Sequence, residues 1–298
     1  KLIYTQLLNH RGGIEADITV DRLAADRYMI VSSAATHSRD LAWIERHLVS
    51  ADRVVVTDVT SAYAVLSVQG PRSRDLLASI SDADLSNAAF PFLTSQEISI
   101  GYAPAIAKRV TFVGELGWEL YIPSEFAQGA FDTLTEAGQE FGLRLAGYHA
   151  LEHLRCERAY REFGLDLAPD DTPFEAGLGF SVKMDKPGGF IGRDALVSQR
   201  GKVLNKRLVM FKLTDPEALL FHDELIRLDG HIVGHISSGA YSFTLGRSVG
   251  MGYVHQPDGV SPELINSVRF EIEIACERYP AAASLQAFFD PAGERLKR

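Results

Sequence analysis

The sequence predicts an α+β fold in which mixed strands and helices are followed by a smaller antiparallel β barrel or sandwich. Up to about residue 205, strand-type alternation and helix-type spacing of apolar residues follow one another in no fixed order, which is typical of α+β proteins. Beyond that point the pattern changes to short β-type runs separated by glycine and proline. We therefore expect two domains, residues 1–205 and residues 206–298.

The first domain is predicted to combine strands with helices. Leu41, Ile44 and Leu48 stand at helical spacing and predict a helix over residues 40–48. Gly70 and Pro71 indicate the start of another helix, because a proline in the first turn costs no hydrogen bond. We predict further helices over residues 125–141 and 148–160, and strands over residues 2–8, 14–20, 27–32, 54–57, 62–69, 97–100, 107–112 and 119–122.

The second domain is predicted to consist of short strands. Asp229 and Gly230 form a dipeptide that favours a hairpin turn, because both residues tolerate the positive φ that such turns require. Strands joined by such turns pair in an antiparallel way, which a small barrel or sandwich needs. The predicted strands lie over residues 207–213, 225–228, 231–236, 249–255 and 268–275.

Composition and charge exclude several classes of function. The 298 residues are 46% hydrophobic and 23% charged, as expected for a globular protein with a sizeable core. Lysine and arginine total 30 against 39 aspartates and glutamates, and the resulting net charge of −9 argues against nucleic-acid and anionic-membrane partners. No apolar run approaches the roughly 20 residues that are needed to cross a bilayer. Because the net charge is negative, an anionic ligand would need a local basic pocket.

The cysteines and the start of the chain bear on its setting. Cys156 and Cys276 lack the spacing of a disulfide framework or a structural zinc site. We therefore expect a reducing compartment, either the cytoplasm or, in a eukaryote, the mitochondrial matrix. The chain begins with Lys1, and residues 2–8 have the pattern of a strand inside a fold, so we also expect that an upstream segment is missing.

One short motif has the spacing of a zinc site. His149, Glu152 and His153 match the H-x-x-E-H pattern of inverted zinc peptidases, in which two histidines hold Zn²⁺ and the glutamate activates water. Such a site needs a further protein ligand, and so short a pattern often arises by accident among nine histidines. We therefore expect a mixed helix face without metal, and we keep a zinc hydrolase as an alternative.

Two other segments carry acids beside glycines. A double-glycine turn, Gly12 and Gly13, leads into an alternating strand that carries Asp17. Further along the chain, a second glycine-rich turn leads to Glu119, which directly follows the aromatic Trp118. Taken alone, each pattern also fits an ordinary turn with solvated acids.

Together and in order, these segments resemble the aminomethyltransferase family, the T-protein of the glycine cleavage system. The resemblance covers essentially the whole chain, and residues 159–164 and 188–194 are similar to the carboxy-terminal part of flavin-dependent dimethylglycine and sarcosine dehydrogenases. Several motifs in the right order are far more specific than any one of them. The matching residues are Asn9, Gly12, Gly13, Asp17, Gln69, Gly70, Pro71, Gly114, Glu115, Gly117, Glu119, Leu154, Arg155, Glu157, Pro173, Glu175, residues 190–193, Ser238 and Gly239.

The resemblance implies a folate-binding fold of mixed sheets and helices with an antiparallel barrel after it, and tetrahydrofolate as the cofactor. It implies that the chain accepts a one-carbon unit from an N-methyl amine and forms 5,10-methylenetetrahydrofolate. FAD would belong only to a missing amino-terminal flavin domain or to a flavin subunit, since no G-x-G-x-x-G motif follows a strand here. A folate-binding module without catalysis, and methyl transfer that yields 5-methyltetrahydrofolate, remain alternatives.

The resemblance also assigns roles to individual residues. Asp17 matches the family's catalytic aspartate, which would orient the reactive nitrogens and take up the released proton. Glu119 matches the carboxylate that holds the pterin, because one carboxylate accepts two parallel hydrogen bonds from the pterin edge. Tyr4 matches a tyrosine of the folate site. The rings expected to pack against the pterin or the benzoyl group are Phe112, Trp118 and Phe174.

One position departs from the family pattern. Leu151 stands where the family has the arginine that meets the acidic tail of folate. Arg109 or Arg155 is expected to compensate for its loss. Buried arginines are, however, as often structural partners of carboxylates such as Glu157.

Overall fold

The computed structural model describes residues 1–297 and divides the chain into two compact units. The first unit comprises residues 1–4, residues 19–147 and the described residues from Ala292 onward. The second unit comprises residues 5–18 and residues 148–291. The division falls inside the first two strands, so both strands contribute residues to each unit.

The amino-terminal strands form a three-stranded sheet. Its order is β1 (Leu2–Leu8), β2 (Ile14–Arg22) and β3 (Tyr28–Val31), and β2 pairs with β3 in an antiparallel way. Ile14, Ala16 and Ile18 are buried, whereas Asp17 is half-buried. This is the alternation that a strand with one covered face requires. The helix α1 (His37–Arg46) follows the sheet.

A four-stranded antiparallel sheet forms the centre of the first unit. Its order is β4, β7, β6, β5, and two helices, α2 and α3, cover one face. Trp118, Leu120 and Ile122 alternate along β7 and are fully buried on that covered face. The bounds are β4 (Tyr63–Gln69), α2 (Ser73–Ile80), β5 (Ser95–Ile100), β6 (Ala103–Lys108), β7 (Gly117–Pro123) and α3 (Ala127–Gly138).

The second unit contains a closed six-stranded barrel. Its strands follow one another around the barrel in the order β10, β11, β8, β13, β12, β9, and the six strand pairs are all antiparallel. Closure leaves no sheet edge exposed, and residues such as Phe211, Phe270 and Ile272 fill the interior. The bounds are α4 (Tyr148–Glu157), α5 (Arg193–Gln199), β8 (Lys206–Leu213), β9 (Leu225–Leu228), β10 (His231–Ser242), β11 (Arg247–His255), α6 (Pro262–Ser267), β12 (Phe270–Ile274) and β13 (Glu277–Ser284).

The structure confirms the α+β class and the antiparallel barrel after it. The strand predicted over residues 54–57 is wrong: these residues form no strand, and the side chain of Val55 is 87% exposed, so its β-type composition finds no partner. The last barrel strand, β13, was not predicted. The domain boundary near Asn205 stays a prediction.

Within residues 1–297, we find no helix with the length and apolar character of a membrane span.

Candidate functional site

The double-glycine turn fixes the start of β2 in the second unit. Asn9 Oδ1 accepts hydrogen bonds from the backbone N–H groups of Arg11 and Gly13 at 2.9 and 3.0 Å. The side-chain NH2 group of Asn9 donates hydrogen bonds to Glu15 and to the backbone oxygen of Pro169. A Cβ atom on Gly13 would lie 1.8 Å from that same backbone oxygen, so only glycine fits. The turn therefore fixes the position from which β2 carries Asp17.

Asp17 is held by a chain of hydrogen bonds within the second unit. Gln6 Nε2 donates to Asp17 Oδ1 at 2.8 Å, and Ser181 Oγ donates to Gln6 Oε1 at 2.6 Å. All three side chains are half-buried. An amide that accepts at one end and donates at the other has its orientation fixed, so the chain orients the Asp17 carboxylate.

Glu119 lies on the polar face of the four-stranded sheet in the first unit. In the strand register it stands directly opposite Ser67 in β4 and Lys108 in β6, and Lys108 stands opposite Ser95 in β5. Directly opposed residues of antiparallel strands share a face. These four residues, here called the polar row, therefore cross the sheet on the face opposite the apolar core.

Two buried side chains adjoin Glu119 in the polar row. The hydroxyl of Tyr121, two positions further along β7, donates to Glu119 Oε2 at 2.8 Å. Lys108 Nζ lies 4.1 Å from the centre of the Tyr121 ring and 3.5 Å from the sulfur of Met29. Both Tyr121 and Lys108 are almost fully buried, whereas Glu119 is half-buried and keeps some access to solvent.

Electrostatics around the polar row are dominated by burial. Burial lowers the pKa of Lys108, and the negative charges of Asp21 and Glu119 partly offset that effect. Burial and then the charge of Glu119 raise the pKa of Tyr121, so that its hydroxyl stays protonated and continues to donate. Asp21 is itself fully buried and accepts from Ser95 Oγ at 2.8 Å. The row thus contains a buried cation close to two acids.

Trp118 and Arg109 lie on the other side of this sheet. Trp118 is fully buried in the apolar core, with its ring 5.9 Å from that of Phe90 and 5.7 Å from the Arg109 guanidinium. Arg109 donates to the backbone oxygens of Phe90 and Leu296 at 2.7 and 3.3 Å. These are the contacts of structural residues, and their predicted contacts with folate remain untested.

The other predicted rings are half-buried and belong to different units. Tyr4 lies in β1, and Phe112 lies in the loop between β6 and β7; both are part of the first unit. Phe174 belongs to the second unit, where it lines an open cavity of about 370 Å³ together with Lys202 and Arg207. The roles of these three rings also remain predictions.

Arg155 is saturated by partners within the second unit. Its guanidinium donates twice to Glu152, at 2.9 and 2.6 Å, and once each to Asp166, to Ser238 Oγ and to the backbone oxygen of Tyr160. These five contacts use all five N–H groups of an arginine. Arg155 therefore has a structural role. It has no N–H group left to replace the arginine that the family has at the position of Leu151.

Two residues of the H-x-x-E-H motif also have structural partners. Glu152 binds Arg155, and the ring of His153 stacks on Phe243 with a centroid distance of 5.8 Å. In the part of the chain that the structure describes, no group of three or more histidine, cysteine or acidic side chains is arranged to hold a metal ion.

No sequence pattern was used to predict Gln6, Ser181, Lys108 or Tyr121 as residues of the candidate site. Strand alternation could have suggested Tyr121, because the residue two positions after Glu119 must share its face. Ser181 and Gln6 are 175 positions apart, so no local pattern indicates their contact.

The two family comparisons identify the class of protein. Residues 1–186 match the model of the GCVT N-terminal domain, and residues 206–290 match the model of the glycine cleavage T-protein C-terminal barrel domain. The chain therefore belongs to the glycine cleavage T-protein family, as its motifs predicted.

Particular relatives and one solved structure agree with this assignment. The chain is 42% identical to the 4-methylaminobutanoate oxidase (formaldehyde-forming) of Paenarthrobacter nicotinovorans, over 100% of this chain and 35% of the relative. It is 37% identical to the mitochondrial sarcosine dehydrogenase of Homo sapiens, over 99% of this chain and 34% of the relative. The chain thus spans about a third of the length of these relatives. The aminomethyltransferase T of the Bartonella henselae glycine cleavage system has the same fold, with a TM-score of 0.79 and 23% identity over 95% of this chain and 74% of that one.

Proposed function

We propose that this chain binds tetrahydrofolate and transfers to it a one-carbon unit from an N-methyl amine, so that 5,10-methylenetetrahydrofolate forms. Membership of the glycine cleavage T-protein family supports folate-dependent one-carbon chemistry. The observation that carries the proposal is the half-buried carboxylate of Glu119, held in one orientation by the Tyr121 hydroxyl at 2.8 Å.

Glu119 fits the edge of a pterin. A carboxylate offers about four lone-pair positions, of which the Tyr121 hydroxyl uses one on Oε2. Both oxygens therefore still have room to accept the parallel N–H groups of a pterin, and such paired bonds fix the orientation of the ring. The half-buried rings of Tyr4 and Phe112 in the same unit offer apolar contact, while Trp118 and Arg109 support β7 from its other face.

Asp17 fits the role of a proton acceptor. Its carboxylate is half-buried and oriented by Gln6, so it can hold a proton at a defined place without swinging away. When bound, tetrahydrofolate supplies its two amine nitrogens as nucleophiles. In this proposal Asp17 orients the amine, favours positive charge on the carbon that is transferred and takes up the released proton. Phe174 in the same unit would contact the ligand.

The proposed carbon donor is an N-methyl amine that a flavin domain or subunit oxidises. One relative is named an oxidase of 4-methylaminobutanoate that forms formaldehyde, and the other a sarcosine dehydrogenase. Both of these substrates are N-methyl amines. FAD would belong to the part of the larger protein, or to the partner, that this chain does not represent. The mitochondrial matrix is the proposed compartment if the source is eukaryotic, as for the human relative.

The test has two steps. The 298-residue chain is first titrated with tetrahydrofolate in a calorimeter under anaerobic conditions. Limiting formaldehyde is then added, and the folate product is identified by mass spectrometry. We expect saturable binding and formation of 5,10-methylenetetrahydrofolate faster than the uncatalysed background. Absence of binding would refute the whole proposal. Binding without acceleration would leave only a folate-binding module.

A further inference from the structure

A line of polar side chains leads from the interior of the first unit to Glu119. It begins at the fully buried Asp21, continues through the buried Lys108 and the Tyr121 ring beside it, and ends where the Tyr121 hydroxyl donates to Glu119. All four groups belong to the same unit. Each is charged or polar in a place where burial has a cost, so a position in the core alone does not explain them.

A free glutamate side chain would bind a pterin poorly. It has several rotatable bonds, and ordering a flexible side chain on binding costs roughly 0.5–1.5 kcal/mol. A hydrogen bond from a buried hydroxyl removes that cost in advance, because the carboxylate is already ordered before the ligand arrives. Tyr121 suits this task because its ring is buried and lies against the Lys108 ammonium.

We propose that Tyr121 and Lys108 are positioning residues that fix the carboxylate of Glu119 for the ligand. Tyr121 acts directly through its hydroxyl. Lys108 acts through Tyr121, because its ammonium lies 4.1 Å from the ring centre and holds the ring in place. The positive charge of Lys108 also attracts the carboxylate that stands opposite it in the strand register. This inference rests on the proposed folate site and names two residues of that site beyond Glu119.

The competing explanation is that Tyr121 and Lys108 only stabilise the sheet. The two explanations differ in one measurable respect, which is the dependence of the Tyr121 effect on Glu119. If Tyr121 acts on the ligand through Glu119, removal of its hydroxyl has no further effect once Glu119 is gone. If Tyr121 only stabilises the sheet, its removal lowers stability in both backgrounds and leaves affinity alone.

The experiment is a double-mutant cycle on tetrahydrofolate affinity in the full chain. We expect Tyr121→Phe to weaken affinity about fivefold, which is the scale of one typical intramolecular hydrogen bond. In the Glu119→Ala background the same change should alter affinity less than about twofold. We expect Lys108→Met to weaken affinity about threefold, and Lys108→Arg, which keeps the cation, to restore most of it.

Tyr253→Phe is the matched control. It also removes the hydroxyl of a half-buried phenol, which donates to the backbone oxygen of Asp166 at 3.1 Å in the second unit. Thermal unfolding of all variants shows which of them fold. If Lys108→Met does not fold, the Tyr121 cycle still decides, because Tyr121→Phe keeps the ring and its packing.

The outcomes separate this inference from the proposed function. If the parent chain does not bind tetrahydrofolate, or if Glu119→Ala binds as the parent does, the proposed folate site itself fails. If Glu119→Ala weakens binding while Tyr121→Phe does not, only the positioning role fails. An equal loss for Tyr121→Phe in both backgrounds, or for Tyr253→Phe, would also overturn it.

Discussion

The two acids at the centre of the proposal are held in different ways. Glu119, in the first unit, accepts from a buried phenol and stands opposite a buried lysine. Asp17, in the second unit, accepts from a neutral amide that is in turn held by a serine hydroxyl. Both acids are half-buried, so the difference lies in their neighbours and not in their exposure.

This difference fits the different tasks that we propose for the two acids. A carboxylate that is held by a phenol donor keeps one orientation and can accept hydrogen bonds from a ligand with its remaining lone pairs. The amide of Gln6 gives the Asp17 carboxylate a defined orientation, which a group that takes up a proton needs. We therefore assign binding to Glu119 and proton uptake to Asp17.

The largest expected effect comes from Asp17→Asn. The amide keeps the size of the side chain and one acceptor oxygen, but it cannot take up a proton at neutral pH. We expect one-carbon transfer to slow about a hundredfold, within the range of general acid–base catalysis, while tetrahydrofolate affinity changes less than about threefold. Single-turnover kinetics and calorimetry measure the two quantities separately.

The control for this change is Asp194→Asn, since Asp194 is a fully exposed acid of the same unit. It should transfer the one-carbon unit at the rate of the parent. Equal transfer rates for Asp17→Asn and the parent would remove Asp17 from the mechanism and end the contrast between the two acids.

Glu119→Ala is expected to have the next largest effect. Loss of a charged paired contact, worth about 1.5–3 kcal/mol, should weaken tetrahydrofolate affinity at least about tenfold. Glu97→Ala is the matched control, because Glu97 is an exposed acid on the same face of the same sheet. Unchanged affinity in Glu119→Ala, or an equal loss in Glu97→Ala, would contradict the assignment.

Gln6→Met sharpens the contrast with a smaller effect. Methionine has nearly the shape of glutamine but cannot donate to Asp17, so the carboxylate loses its fixed orientation. We expect transfer to slow about fivefold and affinity to stay within about twofold. Rapid-quench kinetics at saturating folate test this. A loss of affinity without a change in rate would place Gln6 with the binding residues instead.

Local patterns in the sequence predicted much of the fold. In β7, the alternation of apolar and polar residues from Trp118 to Ile122 indicates a strand with one buried face. The close approach of a backbone oxygen to Gly13 explains why the turn before Asp17 needs glycine. The strand expected over residues 54–57 failed because its apolar residues have no sheet to join. β-type composition indicates a strand only where a partner strand exists.

The partners of the acids were not predictable in the same way. Ser181 reaches Gln6 across 175 positions, and Lys108 meets Tyr121 only through the pairing of β6 with β7. The same limit applies to Arg155, which by its sequence was equally suited to a folate tail or to a carboxylate. Only the fold shows that protein groups take all five of its N–H donors.

A third half-buried acid, Glu162, tests whether neighbours really distinguish functional acids from structural ones. It accepts from the Tyr148 hydroxyl at 3.0 Å, and Arg155 Nη2 lies 3.6 Å from its Oε2. Burial, followed by contact with the Glu152 carboxyl, raises the pKa of Glu162 above its ordinary value of 4.5. An acid that faces another acid and an arginine with no donor to spare has the surroundings of a structural group.

Glu162→Gln should therefore alter the pH dependence of stability and leave folate affinity unchanged. Because the pKa of Glu162 is higher in the folded than in the unfolded chain, the parent loses stability as the pH rises from 4.5 through the folded pKa. Glutamine does not titrate, so the variant escapes this loss and should be more stable than the parent at pH 7, by a small amount because Glu162 is partly exposed. Urea unfolding between about pH 4 and pH 8 measures the difference. Parallel stability curves would show that the Glu152 contact does not shift this acid, and weaker folate binding would show that the neighbours of a half-buried acid do not reveal its role.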